Sequence, residues 1–283
     1  MKRREFLAAS AAAPLAVGAT STLAFGEKKC KAGKGPLFLE CRHYSLKDAD
    51  KQAKLEEYFA KALLPALKKR NIGPVGVLRF AEGTPAGEKV MGPLRFSGER
   101  TGDLYAILPS YSLADLLSLN TSLLGDADFM KAAKPFLGNP ELDAFKNPLY
   151  ERVESSLFKA FTGLPTVELP TKKKGRLFQL RVYASHNIER AAAKRKMFNE
   201  GGEIALFKKS GMPPVFFGEG LVGEDLPNLT YMLGFDDDAA MLKGWKAFLE
   251  SPGWNKLKKE PQYKETVSNI ENFLLKPADC SEI

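Results

Sequence analysis

The sequence predicts an α+β protein made of two units. Each runs strand, helix, hairpin, helix, strand, with its helices on one face of an antiparallel sheet. Two observations carry this reading. The chain resembles itself at a long, nearly constant offset, and its hydrophobic periodicity alternates between strand-like and helix-like spacing in the same order in both halves. With 283 residues, 44% hydrophobic and 27% charged, it is long and apolar enough for two cores. That composition excludes a disordered chain, and three cysteines exclude a disulfide-dense scaffold.

The self-similarity begins where Leu39-Glu40-Cys41-Arg42-His43-Tyr44 matches Phe178-Gln179-Leu180-Arg181-Val182-Tyr183 at an offset of 139. Leu67-Lys68-Lys69 then aligns with Phe207-Lys208-Lys209, and Val75 with Val215, at an offset of 140. In the first copy Leu37 to Tyr44 alternates like a strand. Asp48 or Asp50 can cap the next helix, whose apolar positions Leu55, Phe59, Ala62, Ala66 and Leu67 have helical spacing, with a kink expected at Pro65. Val75–Phe80 and Leu104–Leu108 read as a hairpin with a long tip rich in Gly and Pro, and Ala114–Leu124 as the second helical region. Val153–Phe161 either closes the sheet or precedes a helix. In the second copy the strand is Leu177–Tyr183, the helix Ile188–Lys209 and the hairpin Val215–Val222 with Leu229–Phe235. Asp236 or Asp237 caps a helix with Met241, Leu242, Trp245, Phe248 and Leu249 inward, and Ile270–Leu275 is the last strand. A sheet with helices on one face needs cover on the other. Two tandem ferredoxin-like units can supply it to each other, so the expected architecture is an intramolecular dimeric α+β barrel.

Residues 1–24 read as an export signal. Lys2-Arg3-Arg4 precedes Glu5-Phe6-Leu7, a mildly apolar stretch follows, and Thr22-Leu23-Ala24 offers small residues for cleavage. The paired arginines resemble a twin-arginine signal, which implies a periplasmic or secreted protein. The domain plan is then signal 1–24, a mature N-terminal segment 25–35 expected to be flexible, a first unit 36–163, a linker 164–175 and a second unit 176–283. The formal charge of +8 falls to +6 on cleavage, which removes three positive charges and one negative. The remaining basic residues are scattered and match no nucleic-acid-binding motif, so no nucleic acid partner is expected. No stable membrane insertion is expected after cleavage either.

The second half resembles the NIPSNAP family. The resemblance rests on Leu180-Arg181-Val182-Tyr183, Met197-Phe198-Asn199-Glu200-Gly201-Gly202-Glu203-Ile204, Val215-Phe216-Phe217-Gly218-Glu219 and Pro227-Asn228-Leu229-Thr230-Tyr231. Trp245-Lys246-Ala247-Phe248, Trp254-Asn255-Lys256-Leu257 and the Ser-Glu-Ile ending extend it. The first half keeps only Glu40-x-Arg42-x-Tyr44 and Leu64-Pro65-Ala66-Leu67. The resemblance implies a fold of α+β barrel modules more than an activity. The wider barrel superfamily includes cofactor-free monooxygenases and haem proteins, and that link is one of fold.

Strand alternation selects the candidate site. Glu40, Arg42 and Tyr44 share a face in the first copy, and Gln179, Arg181 and Tyr183 in the second. The opposite sets, Leu39-Cys41-His43 and Phe178-Leu180-Val182, are nearly apolar and are expected to face the helices. The polar set would then line the space between the sheets, as either an internal hydrogen-bonded network or a pocket for a polar ligand. Glu200, Glu203 and Glu219 are further candidates, since a carboxylate could serve as a general base. Gly201 and Gly202, read as lying inside a helix, suggest close packing or a ligand near the backbone.

Other motifs carry less. His43 and His186 lack metal-ligand spacing and neither lies on a predicted helix, so no metal and no haem is expected. Gly218-x-Gly220-x-x-Gly223 fits a dinucleotide fingerprint in letters but leads into a strand, which reads as a hairpin tip. A Cys30–Cys280 bridge is open in an oxidising compartment. Two functions follow as expectations, with no cofactor in either. One is an exported binding or structural barrel with a small-molecule ligand, able to form a homo-oligomer. The other is a cofactor-independent monooxygenase-like enzyme acting on a small aromatic or quinone-like compound.

Overall fold

In the computed structural model, residues 35–81, 102–137 and 147–283 are described. Residues 1–24, read above as an export signal, the segment through Cys30 with its candidate Cys30–Cys280 bridge, and the tip of the first hairpin lie outside them. The elements are β1 (Phe38–Ser45), α1 (Ala49–Tyr58), a π-helical turn (Phe59–Leu63), α2 (Leu64–Lys69), β2 (Gly76–Ala81) and β3 (Leu104–Ser110). Then come α3 (Leu113–Leu117), α4 (Leu119–Leu124), α5 (Ala127–Leu137) and β4 (Arg152–Ala160). The second half holds β5 (Leu177–Ala184), α6 (Ile188–Asn199), α7 (Glu203–Lys209), β6 (Pro214–Val222), β7 (Asn228–Phe235), α8 (Asp238–Glu250), α9 (Pro252–Leu257) and β8 (Asn269–Pro277). Both halves follow the expected strand-helix-hairpin-helix-strand order, and Val153–Phe161 closes the first sheet as β4.

The eight strands form one closed barrel in the order β1-β3-β2-β8-β5-β7-β6-β4, antiparallel throughout. Within each half the order is that of a ferredoxin-like sheet, and the free edges meet at two seams. Leu78–Ala81 pair with Leu274–Pro277, and Leu157–Ala160 pair with Gly218–Val222. At the second seam a Cβ on Gly218 would stand 2.8 Å from the Phe158 Cβ, so only glycine lets the strands close there.

Local chemistry explains the helices. Asp48, Asn187 and Asp237 each accept a hydrogen bond from the backbone N–H three residues on, at 2.9, 2.9 and 2.8 Å, and so start α1, α6 and α8. The irregularity expected at Pro65 falls just before it. Pro65 has no N–H to offer the preceding turn, and the Leu64 N–H reaches back to the Phe59 carbonyl in a π-helical turn. The expected single helix Ile188–Lys209 is two helices. Gly202 takes a left-handed conformation (φ 87°) between α6 and α7, where an L side chain would be strained.

Three cores result. The helices of the first half cover the outer face of their strands around Phe59, Leu63, Leu67, Leu104 and Leu119. Those of the second half bury an aromatic cluster of Phe198, Phe207, Phe217, Tyr231, Trp245 and Phe248. The third fills the lumen with Leu39, Leu78, Ile107, Phe178, Phe216 and Leu275. Ile283 enters the lumen, its carbonyl accepting from Arg176 Nη2 at 3.0 Å and the neighbouring Glu282 carboxylate accepting from Val75 N–H at 2.6 Å. No helix among the described residues is long and apolar enough to cross a membrane. Truncating this lumen residue (Ile283→Ala) is expected to lower unfolding stability by about 2–5 kcal/mol, readable as a shifted urea midpoint at unchanged slope.

Candidate functional site

The strand alternation holds, but the two faces are exchanged. Leu39, Cys41, Phe178 and Leu180 belong to the lumen core, and His43 and Val182 lie on the same lumen face. Glu40, Arg42, Tyr44, Gln179, Arg181 and Tyr183 therefore lie under or beside the helices, contrary to the expectation that they meet between the sheets. The physical reason is closure. An eight-stranded barrel has an interior just wide enough to be filled by side chains, and apolar ones fill it. The helix-facing side is also buried, and most of its polar groups pair with each other, while Arg181 Nε and Nη1 and Asn272 Nδ2 are buried without a hydrogen-bond partner.

That pairing is extensive. Arg42 holds Glu40 through two bonds, Nε–Oε1 at 2.7 Å and Nη2–Oε2 at 3.0 Å, and Ser155 Oγ donates to Glu40 at 2.8 Å. Burial opposes the Arg42 charge, but Tyr44 and Glu40 outweigh it and keep the guanidinium protonated. Gln179 receives the Trp245 indole N–H at 2.7 Å and donates to Asn272 at 2.8 Å. Tyr183 and Tyr231 share a hydroxyl contact of 2.9 Å. Arg181 lies over the Trp245 ring, 4.7 Å from its centroid. Of the other candidate carboxylates, Glu200 is exposed at the end of α6, and Glu219 on β6 pairs with Arg195 at 3.2 Å. Glu203 is buried and pairs with Lys194 at 3.0 Å. The candidates thus form separate helix-face networks.

The space that does exist lies on the lumen face, at the end opposite Ile283. It is a cavity of about 300 Å³ with an apolar floor of Cys41, Phe158, Leu180, Val182 and Phe273. Glu154, Glu224, Asp225 and Glu271 contribute to its walls, with Asn228 and Thr230 from β7. A depression of about 270 Å³ near Lys47 and Lys51 is bounded mainly by the 147–151 segment.

His43 stands at this cavity, clamped between two carboxylates. Its Nε2 lies 2.8 Å from Asp103 Oδ2 and its Nδ1 lies 3.1 Å from Glu154 Oε2. Asp103 is fixed by the Leu46 backbone N–H at 2.8 Å, and Phe80 packs edge-on against the imidazole at 5.4 Å. An imidazolium can donate to both carboxylates, whereas a neutral ring can donate to only one. Beside it, burial pushes the Cys41 thiol up to about 12, and the thiol bonds to Tyr105, whose phenol is held well above its ordinary value by burial. Burial thus favours the neutral thiol at Cys41.

Behind the wall, Asn228 Oδ1 and Thr230 Oγ1 are buried without a hydrogen-bond partner and are closed to the cavity as well as to solvent. The Asn228 amide is oriented by donation to the Glu224 carbonyl at 2.8 Å, which leaves its oxygen as an acceptor. No group of three or more His, Cys, Asp or Glu among the described residues is arranged to hold a metal ion.

Sequence reasoning missed Asp103, Glu154, Asn228, Thr230 and Glu271, and set His43 on the wrong face. The available signal was register. His43 pairs with Tyr105 and Glu154 across its two neighbouring strands, and Val182 with Thr230 and Glu271 in the same way. Fixing one of these residues in the lumen fixes all of them.

The helix-face network makes its own prediction. Burial raises the Glu203 carboxyl above its ordinary value of 4.5, with Lys194 and Arg181 pulling it back. Between the unfolded and the raised folded value the native state holds the extra proton, so this group makes stability fall as pH rises through that window. Glu203→Gln should remove this contribution, giving a flatter stability profile than the parent as pH rises above 4.5 in urea unfolding.

Comparison with known proteins agrees with this architecture. Residues 178–282 match the NIPSNAP family model. No curated protein matches the chain. A monooxygenase-like protein from Lactobacillus acidophilus NCFM superposes with a TM-score of 0.52 at 9% identity, covering 86% of this chain and 94% of that one. One from Fusobacterium nucleatum gives 0.51 at 9% identity, covering 86% and 93%. A NIPSNAP-like domain protein from Burkholderia xenovorans gives 0.34 at 16% identity, covering 38% of this chain and 88% of that one. The chain thus has the α+β barrel fold of the monooxygenase-like proteins, with a NIPSNAP domain matched over residues 178–282.

Proposed function

We propose that this protein binds a small molecule in the lumen cavity beside His43. One observation carries the proposal: a cavity of about 300 Å³ on the lumen face joins an apolar floor of Cys41, Phe158, Leu180, Val182 and Phe273 to a wall that bears His43 and Glu154. The apolar floor would take the body of the ligand and the polar wall its functional group. The helix-face residues Glu40, Arg42, Tyr44, Gln179, Arg181, Tyr183 and Glu203 support the barrel in this reading. We place the role outside the cytoplasm, on the strength of the Lys2-Arg3-Arg4 pattern, with self-association as a further feature of the binding barrel.

Native mass spectrometry tests the proposal. Protein purified without denaturation should carry a small adduct, and Val182→Trp, which fills the floor, should lose it while keeping its circular dichroism spectrum. An adduct retained equally by the variant would overturn the cavity assignment.

The clamp on His43 favours a second reading, a cofactor-independent monooxygenase-like enzyme acting on a small aromatic or quinone-like compound. A phenolic substrate would reach His43 by displacing Glu154 from Nδ1, and proton removal is the step that exchange would supply. His43→Ala should then slow oxygen uptake in the presence of a hydroquinone by about 100-fold or more, followed with an oxygen electrode. An equal rate in parent and variant counts against this reading.

A further inference from the structure

The second seam covers only part of β4. Leu157–Ala160 pair with β6, Gly223 still lies against Ser156, and the chain then turns away toward Pro227, whose carbonyl accepts from Ser185 N–H at 2.9 Å. β4 begins earlier, at Arg152, and along Arg152–Ser155 its strand partner among the described residues is β1 alone.

Ladder alternation identifies the backbone groups on the uncovered side. Ala160 N–H donates to the Leu37 carbonyl toward β1 at 2.8 Å, and Phe161 N–H donates to the Phe217 carbonyl toward β6 at 2.9 Å. The pairing of β4 with β1 is regular, so Val153 and Ser155 turn their N–H and C=O away from β1. Val153 is 43% exposed, and Arg152, Glu154 and Ser155 are exposed beside it. A bare strand edge is a template for another strand, and its side chains decide which one fits.

Here the side chains fit a second copy of the same strand. Arg152 and Glu154 flank Val153 with opposite charges. An antiparallel pair about a two-fold axis at Val153 sets each Arg152 opposite the partner's Glu154. It also lets the two Val153 residues exchange both of their backbone hydrogen bonds. An axis at Arg152 or at Glu154 would instead set like charges face to face, which is unfavourable.

We propose that this protein forms a two-fold dimer through the exposed edge of β4, with Val153 at the axis. This rests on the self-association named above and gives it a surface. Alternation puts Arg152 on the lumen face with Glu154, the carboxylate that meets His43 Nδ1. Each copy therefore adds a cation to the rim of the other's cavity. A strand pair this short is a small interface, with a dissociation constant in the micromolar range expected.

Sedimentation velocity on the intact protein, from about 1 μM to about 1 mM, should show a monomer–dimer equilibrium. Arg152→Glu should weaken the dimer at least tenfold. Val153→Pro should do the same, since it removes the outward N–H and leaves the ladder to β1 intact. Both positions are exposed, and both variants should keep the parent circular dichroism spectrum. In hydrogen exchange the Val153 amide should gain protection as the parent is concentrated, and not in Arg152→Glu. A monomer throughout this range would overturn the proposal and the self-association with it. A dimer that neither substitution weakens, with the Val153 amide unprotected, would overturn the β4 edge alone. The cavity reading is decided separately, by the adduct lost in Val182→Trp.

Discussion

Edge pairing is the constraint on which the rest of the structure depends. A four-stranded antiparallel sheet has two edges of unpaired backbone groups, and each half of this chain would carry both if it stood alone. Pairing β2 with β8 and β4 with β6 joins all four edges along the seams. The seams are short and one requires a glycine, but they set the diameter of the tube, and the diameter decides what can lie inside it. The helices could cover the outer faces of either sheet unaided. The lumen exists only because both halves close it.

Closure also explains which parts of the architecture could be read beforehand. Strand and helix positions, the capping residues Asp48, Asn187 and Asp237, and the hairpin around Gly218-Gly220-Gly223 rest on local chemistry, and the structure contains them. Which face of β1 and β5 looks inward is not local. In a sheet wet on one side, the polar face is the outer one; here both faces are buried, and that rule has nothing to act on. The polar face is the one beneath the helices, where Trp245, Ser155 and Asn272 supply partners that the narrow lumen has no room for. The glycine pair was a local signal with two meanings, and its left-handed residue marks a break between helices in place of a ligand contact.

The candidate site was harder to read, for the same reason. Its parts come from β1, β4, β7, β8 and the approach to β3, and none forms a motif by itself. His43 looked like an exception on an apolar face because its partners lie 60 and 111 residues away along the chain. Only the cross-strand register assembles them, and register follows from the seams. The sequence-derived candidates Arg181 and Glu203 did identify an unusual buried charge network with Lys194. It is a feature of how α6 and α7 dock on the sheet.

Ile283 and its neighbours occupy one end of the lumen, and the cavity lies toward the other. The tube is therefore a blind-ended well. Whatever enters must leave by the way it came, so one occupant has to depart before a second molecule can take its place. A long polymer can offer such a well only its end. The geometry selects for compact guests, and departure is limited by the mouth of the well.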